Sequence, residues 1–318
     1  FDTNFGADLT IVEEANELAR RIEANENLPL LTSCSPGWIQ FMERFYPEMI
    51  PYASSCKSPM QMLSTLLKTY YAEKEGKDPK DIYVVGIMPC VAKKFEAERE
   101  EHMAPDGMPY TDAVLTTRET IWMIKAYGID FTHLPDGEFD SPLGYSTGAA
   151  DIFGTTGGVM EAALRTAAEK LTGEPLTELN FTQVREAEGL KEATLRIGDM
   201  DINVAVANGL TNAKTILDKI KTGDKQYHIV ELMACPGGCI GGGGQPYPPT
   251  GHYVLDKDVL KQRGKALYTI DKAKTVRKSH ENPFIQKLYE EYLGEPNGDK
   301  AHELLHTTYQ PREPKGIS

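Results

Sequence analysis

The sequence predicts an α/β fold in two lobes, each built on a mainly parallel sheet flanked by helices, with the functional site buried between them. Three apolar runs carry this expectation: "LPLLTSC" (28–34), "DIYVVGIMPC" (81–90) and "QYHIVELMAC" (226–235). Uninterrupted runs of this kind suit parallel strands buried on both faces. Helix-like sequence recurs between them, and each run ends at a cysteine. Ligands of parallel α/β sheets collect at the carboxyl ends of strands. Cys34, Cys90 and the pair Cys235 and Cys239 are therefore expected to converge, although they are distant in the chain.

The elements follow in order. Residues 8–24, "DLTIVEEANELARRIEA", have helical periodicity, with Ile11, Leu18 and Ile22 on one side. Glu14 and Glu17 are three residues apart and share a face, and Arg21 lies one turn beyond Glu17. Taken alone, they read as a solvated helix face with one ion pair. "DIFGTTGGVMEAALRTAAEKL" (151–171) reads as a strand end, a glycine loop and a helix. "KEATLRIGDMDINVAVANG" (191–209) alternates and turns at Gly198-Asp199, which predicts a β-hairpin. After Tyr247 the chain is rich in lysine and arginine from Lys257 to Lys278, then helical and aromatic through "NPFIQKLYEEYLG". This segment reads as a C-terminal wrap rather than a separate globule.

The 318 residues, 40% apolar and 25% charged, suffice for a sizeable core. A net charge of −13 with no basic block argues against nucleic acid as a partner. No apolar run approaches the roughly 18 residues that span a bilayer, and no secretory signal is read in this stretch of sequence. The start "FDTNFG", without an initiator methionine, reads as a fragment or a processed piece. Five cysteines in a chain this long do not form a disulfide framework, so a reducing, cytoplasmic compartment is expected.

Soft thiolates bind iron–sulfur clusters, zinc or copper(I). Zinc sites usually bring a second close pair of ligands. Here the stretch "ELMACPGGCIGGGGQP" (231–246) holds one close pair, joined by two distant single cysteines. A cubane held by thiolates fits better. Glycines without Cβ let a backbone approach an inorganic core closely. "GTTGGVMEAA" could suggest a phosphate loop, but it lacks the Gly-Lys-Ser/Thr ending.

"TSCSPGW" (32–38), "MPCVAKKFE" (88–96) and "ELMACPGGCIGGGGQP" together resemble the three signatures of the catalytic H-cluster domain of iron-only (di-iron) hydrogenases. The likeness runs from "FDTNFGADLTIVEEA" to "SHENPFIQKLYEEYLG" and "AHELLH" and covers essentially the whole chain. The resemblance implies reversible reduction of protons to dihydrogen at an H-cluster. That cofactor is a 4Fe-4S cubane bridged by one cysteine to a di-iron unit carrying carbon monoxide, cyanide and a bridging dithiolate. It implies Cys90 and Cys235 as cubane ligands, Cys239 as the bridging ligand, and Lys93 as a donor to cyanide. Ser58, Pro59, Met88, Met233 and Phe153 would line the pocket, although the two methionines could equally be core residues. Glu14, Glu17, Ser54 and Arg21 match the family's proton channel. Cys56 matches no signature ligand. Residues 1–246 would be the two-lobed catalytic domain and 247–318 a small-subunit-like wrap packed on it. Electrons would come from N-terminal cluster domains, a partner subunit or a ferredoxin, and maturation proteins would install the cofactor.

The first signature departs from the family, which has two adjacent cysteines where this chain has Cys34 and Ser35. Three arrangements are open. Ser35 ligates the cubane and Cys34 relays protons; or Cys34 ligates after a local shift and Ser35 relays; or the serine marks a variant with an altered or absent cluster, as in a non-catalytic or sensory cluster-binding relative. Counting thiolates favours Cys34 as a metal ligand beside Cys90, Cys235 and Cys239. Literal alignment and the intact acidic set favour Cys34 as the relay.

Overall fold

The computed structural model of the chain describes residues 1–185 and 188–313. Its strands form two separate sheets. One has four strands in the order β1 (Leu30–Leu31), β6 (Ile229–Met233), β5 (Met200–Asn208), β4 (Leu190–Ile197). The other pairs β2 (Val85–Met88) with β3 (Ala113–Thr116). As expected, two cysteine-ended runs lie side by side and parallel, with Leu30 opposite Ile229 and Leu31 opposite Val230. The third run lies in the other sheet, parallel to β3. The predicted hairpin is β4–β5, the one antiparallel strand pair among the described residues, and it turns at Gly198 with φ +56°.

Two expectations need correction. The run at 81–90 reads as buried on both faces, yet Val85 is 43% and Ile87 54% exposed. A two-stranded sheet here has cover on one side only, where Met88 and Val114 pack with Met60 and Ala97. The supposed strand end at Ile152 is helical: Gly148–Asp151 is one helical turn and Ile152–Gly154 a 3-10 turn. Ile152 and Phe153 continue the turn already begun.

Helix α1 (Asn4–Ala24) organises the molecule. Phe5, Leu9 and Val12 enter one apolar cluster, Ala15 and Leu18 a second, and Ala7 and Ile11 a third. A helix packed on so many sides has no fully solvated face, so Asp8, Glu13, Glu14, Glu17 and Arg21 are all buried. Burying charged groups is costly unless they are paired or change protonation. Their partners are therefore the informative part of the structure.

The segment after residue 257 shares these cores. Ile285, Leu288, Leu293 and Leu305 pack with Phe5, Leu9 and helix α3 (Pro59–Leu66). Arg165, fully buried on the helix Gly158–Thr172, pairs with Asp271 of the helix Lys257–Ala273 at 2.9 Å and with Glu161 at 2.8 Å. No helix among the described residues is long and apolar enough to cross a membrane.

Candidate metal centre

Each predicted thiol sits just past a strand. Cys34 follows β1 and leads into helix α2 (Pro36–Phe45); Cys90 follows β2; Cys235 and Cys239 follow β6. The thiols interact. Burial first, then Cys90, pushes Cys239 up to about 12, and Lys93 opposes the rise. Burial and Cys90 also raise Cys235. Cys34 is pushed well up by burial and then by Cys239 and Glu14. Such thiols are poor nucleophiles, and a bound metal cation reverses the balance by deprotonating them.

The glycine-rich loop has a mechanical role between protein segments. A Cβ on Gly242 would lie 2.1 Å from the carbonyl oxygen of Pro89, the residue before Cys90. Gly238 has φ +89°, and a Cβ there would lie 2.8 Å from the Thr156 amide. The bare backbone thus lets the loops of Cys90 and Cys239 touch, a demand distinct from closeness to an inorganic core.

This donor set fits a cluster better than a single ion. In tetrahedral zinc sites, thiolates at about 2.3 Å from the metal are roughly 3.8 Å apart. Among the described residues, the groups of three donors all within 4.8 Å are Glu17–Cys56–His306 and Glu169–His280–Glu281, neither of which includes these thiols. Three half-buried cysteines, Cys90, Cys235 and Cys239, on touching loops suit a wider body held by soft ligands.

Cys34 and Ser35 have different surroundings. Cys34 belongs to an apolar cluster with Ala149, Ile152, Phe153 and Met233. Ser35 Oγ accepts from the amide of Ala234, the residue before Cys235, at 3.2 Å. Lys93 Nζ donates to the Cys34 carbonyl at 3.2 Å and pairs with Glu96 at 2.7 Å. The Ser58 hydroxyl also donates to Glu96, and Pro59 follows it as the first residue of α3. Met233 and Phe153 are therefore brought to Cys34, whereas Met88 packs on the floor of the small sheet.

The acidic set comes together, and the solvated-face reading does not hold. Glu14 and Glu17 are each 2% exposed. Burial pushes Glu14 up to about 8, against a hydrogen bond from Ser54. Glu17 receives Arg21 Nη2 at 2.6 Å, Ser54 Oγ at 3.3 Å and the Ser55 amide at 3.2 Å. Arg21 is fixed in turn by the carbonyls of Asn27, Tyr52 and Ala53, each at 2.9 Å.

Two residues escaped the sequence reading. Glu96 anchors Lys93 and was visible three residues on within the same motif. Glu231, fully buried in β6, accepts from the amides of Gly157 at 2.7 Å and Met160 at 2.8 Å, and burial raises it to about 7. Its carboxyl steadies the start of the helix Gly158–Thr172 and the loop before it. A lone acid in an all-apolar strand was the available signal.

The family model for the C-terminal domain of the iron only hydrogenase large subunit matches residues 1–243. This chain belongs to the iron-only hydrogenase family. A second model, iron hydrogenase small subunit, matches residues 257–312. The chain is 49% identical to the NADP-reducing hydrogenase subunit HndD of Solidesulfovibrio fructosivorans, over 98% of its own length and 53% of that protein. It is 47% identical to iron hydrogenase 1 of Clostridium pasteurianum, over 98% of its length and 54% of that protein. The chain thus spans about half the length of these relatives. An apo variant of FeFe-hydrogenase HydA1 from Chlamydomonas reinhardtii superimposes with a TM-score of 0.85 at 45% identity, covering 99% of this chain and 84% of that one. A more distant relative is cytosolic iron-sulfur assembly component 3 of Bos taurus, 32% identical over 99% of this chain and 67% of that protein.

Proposed function

We propose that this domain interconverts protons and dihydrogen at an H-cluster. The observation that carries the reading is the meeting of a soft-thiol set with a buried acidic relay in one fold. Cys90, Cys235 and Cys239 would hold the cubane, with Cys239 also joined to the di-iron unit. When bound, the cluster supplies the electron transfer and the hydrogen chemistry. The side chains supply position, dryness and protons.

Of the arrangements open at residues 34 and 35, we favour Ser35 as the fourth cubane contact and Cys34 as the proton donor. Ser35 faces the Ala234–Cys235 turn, and Cys34 sits in the pocket of Met233 and Phe153. Burial keeps the Cys34 thiol protonated, which suits a donor. Glu14, held near 8, can carry or release a proton close to neutral pH. Glu17, Ser54 and Arg21 would continue the relay, and Lys93, held by Glu96, would donate to a cyanide ligand. Residues 1–246 would form the catalytic domain and 247–318 its wrap. Electrons would enter from a ferredoxin, a partner subunit or N-terminal cluster domains, and maturation proteins would deliver the di-iron unit.

A second reading is a cluster-binding relative without turnover. It is favoured by Ser35, a hard and weakly acidic group at a thiolate position, and by the likeness to an assembly component. Hydrogen evolution by the matured protein with a low-potential reductant separates the two, and an infrared spectrum shows whether cyanide and carbon monoxide are bound. Bands without turnover support the second reading; turnover supports the first.

A further inference from the structure

Glu17 also touches a second buried set that the proposed relay does not use. Ser55 Oγ lies 3.3 Å from Glu17 Oε2 and 2.8 Å from His306 Nδ1. His306 Nε2 lies 2.9 Å from Glu13 Oε2. Glu13 accepts further from the Tyr289 hydroxyl, and from the Asn297 backbone amide at 2.8 Å. Glu13, His306 and Tyr289 are all buried.

The hydrogens of this set can be counted. Ser55 has one hydroxyl hydrogen and two neighbours. If it donates to Glu17, His306 Nδ1 must carry a hydrogen and donate to Ser55. The short contact between Nε2 and Glu13 needs another, on the ring or on the acid. The His306–Glu13 pair then holds one proton more than a neutral imidazole beside a carboxylate. The backbone amide and the tyrosine hydroxyl both donate toward Glu13, which suits a carboxylate, so in that arrangement the extra proton sits on the ring; when Ser55 instead donates to Nδ1 the ring is neutral, and the same contacts accommodate both states.

We propose that His306 and Glu13 store one proton beside the relay and exchange it with Glu17 through the Ser55 hydroxyl. The inference rests on Glu17 being a relay group. In the exchange, the Nδ1 proton passes to Ser55 Oγ as the Ser55 proton passes to Glu17 Oε2. The ring is left neutral, still donating from Nε2 to Glu13, and the reverse step restores it. No electron moves. Two protons are consumed for each dihydrogen formed, so a stored proton next to Glu17 shortens the wait for the second.

The groups around the ring are Glu13 and Glu17 from α1, Ser55 and Cys56 from the loop before α3, and His302, stacked on His306 at 4.5 Å. Arg21 pairs with Glu17, Arg20 lies near His302, and Tyr289 reaches the ring through Glu13. Glu17, Cys56 and His306 bring three donor atoms within 4.8 Å. The guanidinium already on Glu17 opposes a metal cation there.

The test uses matured protein and reads hydrogen evolution against pH. His306→Gln keeps an amide in place of the ring and cannot titrate. It should lower turnover by about threefold or more and change the shape of the pH profile, as loss of a histidine proton site would, while leaving iron content and infrared bands unchanged. Ser55→Ala, which breaks the bridge and leaves the ring, should reproduce the altered pH profile. Profiles parallel to the parent's in both variants overturn the store, because a merely structural effect scales the rate alike at every pH. If the parent itself evolves no hydrogen, the hydrogenase reading fails separately, and 15N shifts of the His306 ring decide the store. A ring that titrates, with a midpoint moved by Glu13→Gln, supports it; a ring neutral throughout overturns it.

Discussion

Cys90, Cys235 and Cys239 are placed by loops, whereas Glu14, Glu17 and Arg21 are placed by one helix. The thiol side depends on backbone touching backbone, as where Gly242 meets the Pro89 carbonyl. The acidic side depends on side chains satisfying side chains around α1, as where Arg21 and Ser54 meet Glu17. The difference teaches that the proposed metal binding and the proposed proton supply rest on separate structural supports, which should fail separately. Changes on the thiol side should alter what is bound. Changes on the acidic side should alter how fast protons arrive while what is bound stays the same.

The sharpest break is expected from Cys239→Ala. It removes the thiol proposed to join the two metal units, and activity after maturation should fall to background with the di-iron infrared bands lost. Near-normal turnover in that variant would contradict the thiol-side assignment. Glu17→Gln preserves shape and removes the titratable group. Turnover should fall on the order of 10²-fold, the scale of a lost general acid–base group, with infrared bands in place. An exposed carboxylate would show almost no change, so an unchanged rate across pH would return Glu17 to a structural role.

Gly242→Ala tests the loop contact. Its Cβ would meet the Pro89 oxygen at 2.1 Å, so one loop must move. Overpacking of this kind costs about 1–3 kcal/mol, and iron content and Tm should fall together. A variant with parental iron and Tm would show that the loops do not need the contact. The smallest effect concerns Glu14. Its pKa rises on folding from 4.5 to about 8, so the folded state binds this proton more tightly. Its stabilising contribution is complete below about 4.5 and is lost as pH rises toward 8. Glu14→Gln should therefore flatten part of the fall of Tm across that window. Glu231, also raised by burial, keeps some slope. An unaltered slope would mean that Glu14 is not the buried titrating acid described.

The two regions were also unequally legible. The cysteine-ended runs announced β1, β2 and β6 and the convergence of their loops, because strand length, β-branching and motif spacing are local properties. The cover over each face is not local. The alternation of Val85 and Ile87 cannot say that one side of a two-stranded sheet stays exposed. For the same reason the periodicity of α1 suggested a wet face for Glu14 and Glu17. Their burial comes from elements distant in the chain, among them the Ser54–Ser55 turn, 37 and 38 residues from Glu17, and His306, nearly 300 residues away. The glycines were legible as a demand for closeness, but the neighbour that makes the demand, Pro89, lies about 150 residues earlier. Ser35 could be flagged from the motif, yet its contact with the Ala234 amide required the packed loops.

The central claim, that metal holding and proton supply are separable, is tested most directly at Cys34. The measurement is the iron content of Cys34→Ala beside its hydrogen evolution rate after maturation. The structure places Cys34 with Met233 and Phe153 and places Ser35 against the turn that carries Cys235. The account predicts iron near the parental level with hydrogen evolution nearly abolished. Iron lost together with activity would make Cys34 a ligand and contradict the division of roles.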